Sequence, residues 1–157
     1  VINEASRYDL KGRKYIGSPY KYYFEDLGLR NARIGFRQLE ETHLMENAIY
    51  NELKARGFQV DVGIVPIREN KDGNRTRNQL EIDFVATLGN RRYYIQSAYT
   101  IQTQEKMLQE KASFLKVDDS FKKIIIVKDV INIQRDEHGI TTISLYDFLL
   151  DENSLDK

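Results

Sequence analysis

The sequence predicts an α/β domain with elements in the order α-β-β-β-α-β. Three observations lead there: a breaker-free stretch from Glu41 to Arg56 with apolar residues at helical spacing, alternation at 58–64 and 80–86, and the unbroken run Ile124-Ile125-Ile126-Val127. A 3.6-residue period marks a helix, a period of two a half-buried strand, and a short continuous apolar run a strand covered on both faces. A mixed central sheet flanked by helices is the architecture expected.

Each element can be justified in turn. Arg7 to Phe24 mixes Tyr8, Tyr15, Tyr20, Tyr22 and Tyr23 with Gly12, Gly17 and Pro19, which predicts extended arms and turns leading to a strand at Lys21 to Phe24. In the first helix Leu44, Met45, Ala48, Ile49 and Leu53 form one apolar stripe, Thr42 is the expected N-cap and Gly57 the stop. Phe58, Val60, Val62 and Ile64 then alternate with Gln59, Asp61 and Gly63, and Pro66 is expected to close that strand. A polar stretch with the turn signal Asp72-Gly73 leads into Leu80, Ile82, Phe84 and Ala86, a long hairpin. Gly89-Asn90 turns into Arg92 to Thr100, with Tyr93, Ile95, Ser97 and Tyr99 on one face and Tyr94, Gln96 and Ala98 on the other. A helix from Thr103 to Lys116, the buried strand at Ile124 to Val127, a strand near Ile140 to Leu145 and a helical turn at Asp147 to Leu150 complete the order.

Composition bounds what such a domain can do. The 157 residues carry 24 Lys+Arg against 24 Asp+Glu and are 41% hydrophobic, which suits one globular domain and excludes intrinsic disorder. No apolar run approaches a membrane span, so no membrane partner and a cytoplasmic location are expected. The absence of cysteine excludes disulfides, thiolate catalysis and sulfur-ligated zinc. Only His43 and His138 are present, in no metalloprotease pattern. From Asp129 onward seven acidic residues face Arg135 and Lys157, which leaves the first 128 residues with a net charge of +5. The first residue is Val rather than Met, as expected of a piece of a longer chain.

Three residues stand out once the elements are placed. Asp83 lies in a strand between Ile82 and Phe84, on the face expected to oppose them, where an unpaired carboxylate is costly. Glu46 sits at the edge of the helical stripe, and Gln96 in the neighbouring hairpin strand. Glu46, Asp83 and Gln96 are expected to converge on one spot. A second group is basic: Arg68, Lys71, Arg75 and Arg77 flank the hairpin turn and Arg91 and Arg92 follow the next, a candidate nucleic-acid contact. Gly12 and Gly17 have the spacing of a phosphate loop, but Ser18-Pro19 stands where Lys and Ser/Thr are required, so no ATP site is expected in this chain.

Glu46 with Gly57-Phe58, then Asp83-Phe84-Val85-Ala86-Thr87 and Gly89-Asn90, then Tyr94-Ile95-Gln96-Ser97-Ala98, resembles the PD-(D/E)xK nuclease pattern of archaeal Holliday-junction resolvases. The resemblance implies a restriction-endonuclease-like fold in which the strand Asp and the Glu of the ExK pair bind a divalent metal, a helix Glu assists and the Lys serves the chemistry at phosphorus. Carried over, Glu46 matches the helix Glu and Asp83 the metal-binding Asp. Three further segments, Lys21 to Ala32, Met45-Glu46-Asn47 and Glu81-Ile82-Asp83-Phe84-Val85, resemble more closely the carboxy-terminal domain of unknown function of prokaryotic AAA-type ATPases. That resemblance runs from about Lys21 to Leu150 and implies an ATPase module and a winged-helix-like linker in cis, with residues 1–20 as the end of the linker and 21–157 as the domain.

The chain departs from the nuclease pattern at Gln96-Ser97-Ala98, where the metal-binding Glu is neutral and the catalytic Lys is a methyl group. A Gln carbonyl contributes no charge to a Mg²⁺ or Mn²⁺ site, and loss of the Lys removes several kcal/mol of transition-state stabilisation. The expectation is therefore a degenerate nuclease fold that binds DNA or a protein partner, with no certain cofactor. The alternatives are a metal-dependent DNA endonuclease, with Asp83 and Gln96 holding Mg²⁺ or Mn²⁺ and Lys106 or Lys111 as a relocated cation, and a protein-interaction domain using the tyrosines at 20–23.

Overall fold

The computed structural model describes residues 1–37, 40–71 and 74–157, and the side chains of these except 69–71 and 74–77. It is a mixed α/β structure. Eight strands, β1 (Ile2–Asp9), β2 (Lys14–Phe24), β3 (Gln59–Lys71), β4 (Asn74–Leu88), β5 (Arg91–Ala98), β6 (Lys122–Val127), β7 (Gln134–Arg135) and β8 (Ile140–Ser144), form one sheet. Their order is β2-β1-β3-β4-β5-β6-β8-β7, with β1 parallel to β3 and the β5-β6-β8 centre also parallel. Among the described residues four α-helices, α1 (Leu27–Arg33), α2 (Glu41–Ala55), α3 (Gln104–Lys111) and α4 (Leu145–Leu150), accompany it. The succession α2-β3-β4-β5-α3-β6 reproduces the order expected from periodicity. Among the described residues no helix is long and apolar enough to cross a membrane.

The two faces of the sheet carry separate cores. Met45, Ile49, Tyr50 and Leu53 of α2 and Phe148 of α4 cover Tyr23, Val60, Val62, Phe84, Ile95 and Ile126 on one face. Phe114, with Met107 of α3 beside it, covers Ile82, Val85, Tyr94, Ala98 and Ile125 on the other. Leu53 and Ile49 are fully buried, so the α2 stripe is a core face as the spacing predicts. Helix α2 ends as Gly57 requires. Phe58 N–H donates to the Leu53 carbonyl and Gly57 N–H to that of Lys54, and Gly57 adopts φ +88, the paired capping geometry in which only glycine is comfortable.

Several expectations need correction. The stretch before Lys21 is not irregular: β1 and most of β2 form an antiparallel hairpin laid against β3. Its alternation is hard to read because most of its side chains are exposed or half-buried. Helix α1 was not expected from the sequence; Asp26 caps it by accepting from Leu29 N–H. The N-cap of α2 is Glu40 rather than Thr42. Pro66 does not close β3. Beyond Ile64 the strand has lost β1 as a neighbour and keeps only β4, so one of its edges is open and a proline is tolerated. The expected turn at Asp72-Gly73 lies outside the described residues.

The alternation along β4 is broken in its middle. Asp61 pairs with Val85 and Gly63 with Ile82, so two residues, Asp83 and Phe84, stand opposite Val62 alone. This is a β-bulge, which re-aims side chains. Ile82 and Val85 face α3, whereas Phe84 and Ala86 face α2, so Phe84 does not share a face with Leu80 and Ile82. Gly63 makes the bulge possible: a Cβ there would lie 3.0 Å from both Ile82 Cβ and Val85 Cγ2.

Candidate functional site

At the bulge the ladder between β4 and β5 stops. The last pair is Phe84 with Ile95, after which the strands part. The backbone groups freed there are satisfied by side chains: Asp83 N–H donates to Gln96 Oε1 at 3.3 Å and Ser97 N–H to Asp83 Oδ2 at 2.9 Å. Gln96 follows the pleat of Tyr94 and Ala98 onto the α3 face, where it also donates to Glu110. It therefore does not join Glu46 on the α2 face, and its carbonyl oxygen is engaged by a backbone N–H.

What the structure brings to Asp83 is a group the sequence did not single out. Lys21 and Tyr23 of β2 stand two residues apart on the face toward α2. The strand is held there by Asn47 of α2, whose side chain accepts from Phe24 N–H at 3.0 Å and donates to the Phe24 carbonyl at 2.7 Å, as a neighbouring strand would. Lys21 Nζ then lies 3.0 Å from Glu46 Oε1, 2.6 Å from Glu81 Oε1 and 3.7 Å from Asp83 Oδ1. The Tyr23 hydroxyl donates to the same Glu46 oxygen at 2.7 Å, and Arg7 of β1 reaches Glu81 Oε2 at 2.8 Å. Three carboxylates from one helix and one strand thus surround an ammonium from the N-terminal hairpin. A cleft of 320 Å³ lined by Lys21, Tyr23, Arg30, His43 and Glu46 opens beside them.

The electrostatics follow from burial and from this pairing. Burial and the nearby Glu46 charge raise the Asp83 carboxyl to about 7, against the pull of Lys21 and of Ser97 N–H. Burial disfavours the Lys21 ammonium, but Glu46, Glu81 and Asp83 outweigh it and hold the proton more firmly than usual. Burial opposes ionisation of Glu81 too, but contacts from Lys21 and Arg7 prevail and lower it. Burial and then the Glu46 charge raise the Tyr23 phenol. The cluster is close to internally neutral, and among the described residues no group of three or more His, Asp or Glu side chains is arranged to hold a metal.

The other expected residues lie elsewhere. Lys111 is paired to Asp136 at 2.6 Å, and Lys106 lies near Glu110 on the α3 face. Arg91 and Arg92 point to opposite faces: Arg91 toward Asp156 at 3.7 Å, Arg92 over the rings of Tyr8 and Phe121. Arg68 is exposed near the distal end of the β3-β4 hairpin, and the side chains of Lys71, Arg75 and Arg77 lie outside the described residues. Of the residues sequence reasoning missed, Glu81 carried a signal, since it precedes Asp83 by two in a strand. Lys21 carried none, because only the tertiary pairing of β2 with α2 brings it in.

Comparison with known proteins places these observations in context. The domain of unknown function DUF4143 matches residues 41–148. An uncharacterized protein of Haemophilus influenzae is 31% identical over 150 residues, which cover 96% of this chain and 34% of that protein. The chain thus spans about a third of the length of this relative. No solved structure gives a significant match.

Proposed function

The chain belongs to the DUF4143 family, and from that premise we propose that it is a restriction-endonuclease-like domain without metal chemistry, a binding module for an ATPase carried on the same polypeptide. The order α2-β3-β4-β5-α3-β6 supports the fold assignment, as does an aspartate placed on a bulge where two strands part. The length of the H. influenzae relative leaves room for a further module in that protein.

One observation carries the loss of chemistry: Lys21 Nζ occupies the space among Glu46, Glu81 and Asp83. A divalent cation binds where carboxylates bring uncompensated negative charge. Here Lys21 and Arg7 already neutralise it, and Gln96, the residue at the expected second ligand position, is spent on a backbone N–H. A metal would have to displace a half-buried, hydrogen-bonded ammonium before it could reach phosphate.

The test is calorimetric titration with Mn²⁺ together with cleavage of plasmid, single-stranded and branched DNA in Mg²⁺ or Mn²⁺, comparing the wild type with Asp83→Ala. The expected result is no saturable metal binding and no cleavage that depends on Asp83. Metal-dependent cutting lost in Asp83→Ala would overturn the reading. It would favour a second one, a nuclease in which Lys21, 3.7 Å from Asp83, is the relocated cation; Lys21→Met would then abolish cutting.

A further inference from the structure

A second concave site lies on the opposite face of the sheet from α2, toward the far end of β4. Its 790 Å³ are lined in part by Tyr8, Lys11, Arg13, Arg92, Lys116 and Phe121. Lys21 and Arg7 of the first site are paired with carboxylates; the cations of this cleft are not. Among the described residues no carboxylate lies within ion-pair distance of Lys11, Arg13, Arg92 or Lys116, whereas Arg7, Lys21, Arg56 and Lys111 are each so engaged. Asp118 and Asp119 also line the cleft, but Asp119 is occupied by the Tyr94 hydroxyl at 2.7 Å and by Phe121 N–H at 3.1 Å. The balance over these six groups is four positive charges against two negative.

The turn that carries two of the cations is fixed by its backbone, and Arg92 is held by its aromatic neighbours. Asp9 Oδ1 accepts from Lys11 N–H at 3.0 Å and Gly12 N–H at 2.8 Å, fixing the β1-β2 turn. A Cβ on Gly12 would come within 2.5 Å of Asp9 Oδ2, so a side chain there would push the Asp9 carboxylate away from these N–H groups. Arg13 follows at φ +52, a conformation that non-glycine residues seldom adopt. The Arg92 guanidinium sits 5.4 Å from the ring centres of both Tyr8 and Phe121, within cation–π range. Phe121, 38% exposed, leaves ring surface open to solvent beside these charges.

Cations that lack carboxylate partners, set beside exposed aromatic surface, are the two components by which proteins hold nucleotide units: phosphate on the cations, base on the ring. The volume exceeds what a lone phosphate fills, and an acidic peptide would use the charges but leave the ring without a partner. We propose that this cleft binds nucleotide phosphate and base, supplied by a single strand of nucleic acid or by a free nucleotide. The inference deepens the binding-module reading and is separable from it, since metal-dependent cleavage would defeat that reading and leave this cleft untouched.

The test is fluorescence anisotropy of the full chain with labelled oligo-dT of about 15 nucleotides, in salt from about 50 to 200 mM. Lys11→Glu combined with Lys116→Glu alters two exposed side chains with no ion-pair partner, so the fold is preserved. It is expected to weaken binding about tenfold or more and to reduce the salt slope by about one for each cation removed. Arg92→Ala should also weaken binding, and Arg33→Glu, on α1 at the other face, should not. Competition by AMP or ATP that is lost in the double variant assigns the site to free nucleotides. Strand binding that these do not displace assigns it to single-stranded nucleic acid. Absence of binding to both, an equal loss in Arg33→Glu, or displacement by poly-glutamate as readily as by oligo-dT would overturn the proposal.

Discussion

Replacing Asp83 by Asn should abolish a specific pH dependence of stability. Asp83 is 9% exposed, and burial together with Glu46 raises its carboxyl from 3.8 to about 7. A group whose folded value lies above its unfolded value contributes stability that is fully present below the unfolded value and lost as pH rises through the folded one. Asp83 therefore costs the wild type stability between about pH 4 and pH 7 and adds no further slope above that. Roughly three pH units at about 1.4 kcal/mol each give up to about 4 kcal/mol. Asn keeps an oxygen to accept Ser97 N–H, gives up a 3.7 Å approach to Lys21 and cannot ionise. Urea denaturation of both proteins from pH 4.5 to 8 is the assay. The stability of Asp83→Asn relative to wild type should rise across this range by about 3 kcal/mol, the part of the effect that falls above pH 4.5, and then level off. Parallel pH profiles would refute the claim that Asp83 is held against its own ionisation.

Two further outcomes test the frame around that residue. Lys21→Met leaves Glu46, Glu81 and Asp83 facing one another without their ammonium, and should destabilise the fold by about 3 kcal/mol or more at pH 8. The loss should shrink toward pH 5 as Asp83 takes up a proton, which urea titration at the two pH values checks. Gly63→Ala pushes a methyl group against Ile82 and Val85 across the bulge and should cost about 1–3 kcal/mol, read by thermal denaturation; an unchanged midpoint would mean that the bulge can relax.

The sequence carried the central elements because their side chains are sorted by burial. The α2 stripe, the alternation at 58–64 and the run at 124–127 each show a period that water enforces. The N-terminal hairpin escaped notice since most of its side chains are exposed or half-buried, and its pairing is a relation across more than fifty residues, Tyr8 beside Gly63. Asp83 was legible as a carboxylate in an apolar strand, and Glu46 as its neighbour. Phe84 was misplaced because alternation was assumed through a strand whose bulge adds one residue, whereas Gln96 follows Tyr94 and Ala98 as read but on the face away from Glu46. No local pattern announces that bulge except the glycine opposite it. Lys21 was out of reach for the same reason as the hairpin that carries it.

That hairpin also bears on where this domain can be cut. The family match begins at residue 41, yet Arg7, Lys21 and Tyr23 all precede it, and β1 is the strand that covers one edge of β3. A fragment trimmed to the matched region would keep its principal helix and most of its apolar interior. It would lose the cations that neutralise Glu46 and Glu81 and would bare the 62–64 edge of β3 to any extended chain, the arrangement that invites aggregation. Boundaries for expression or for transplanting this domain onto another protein should therefore be drawn before Ile2, not at the limits of sequence similarity.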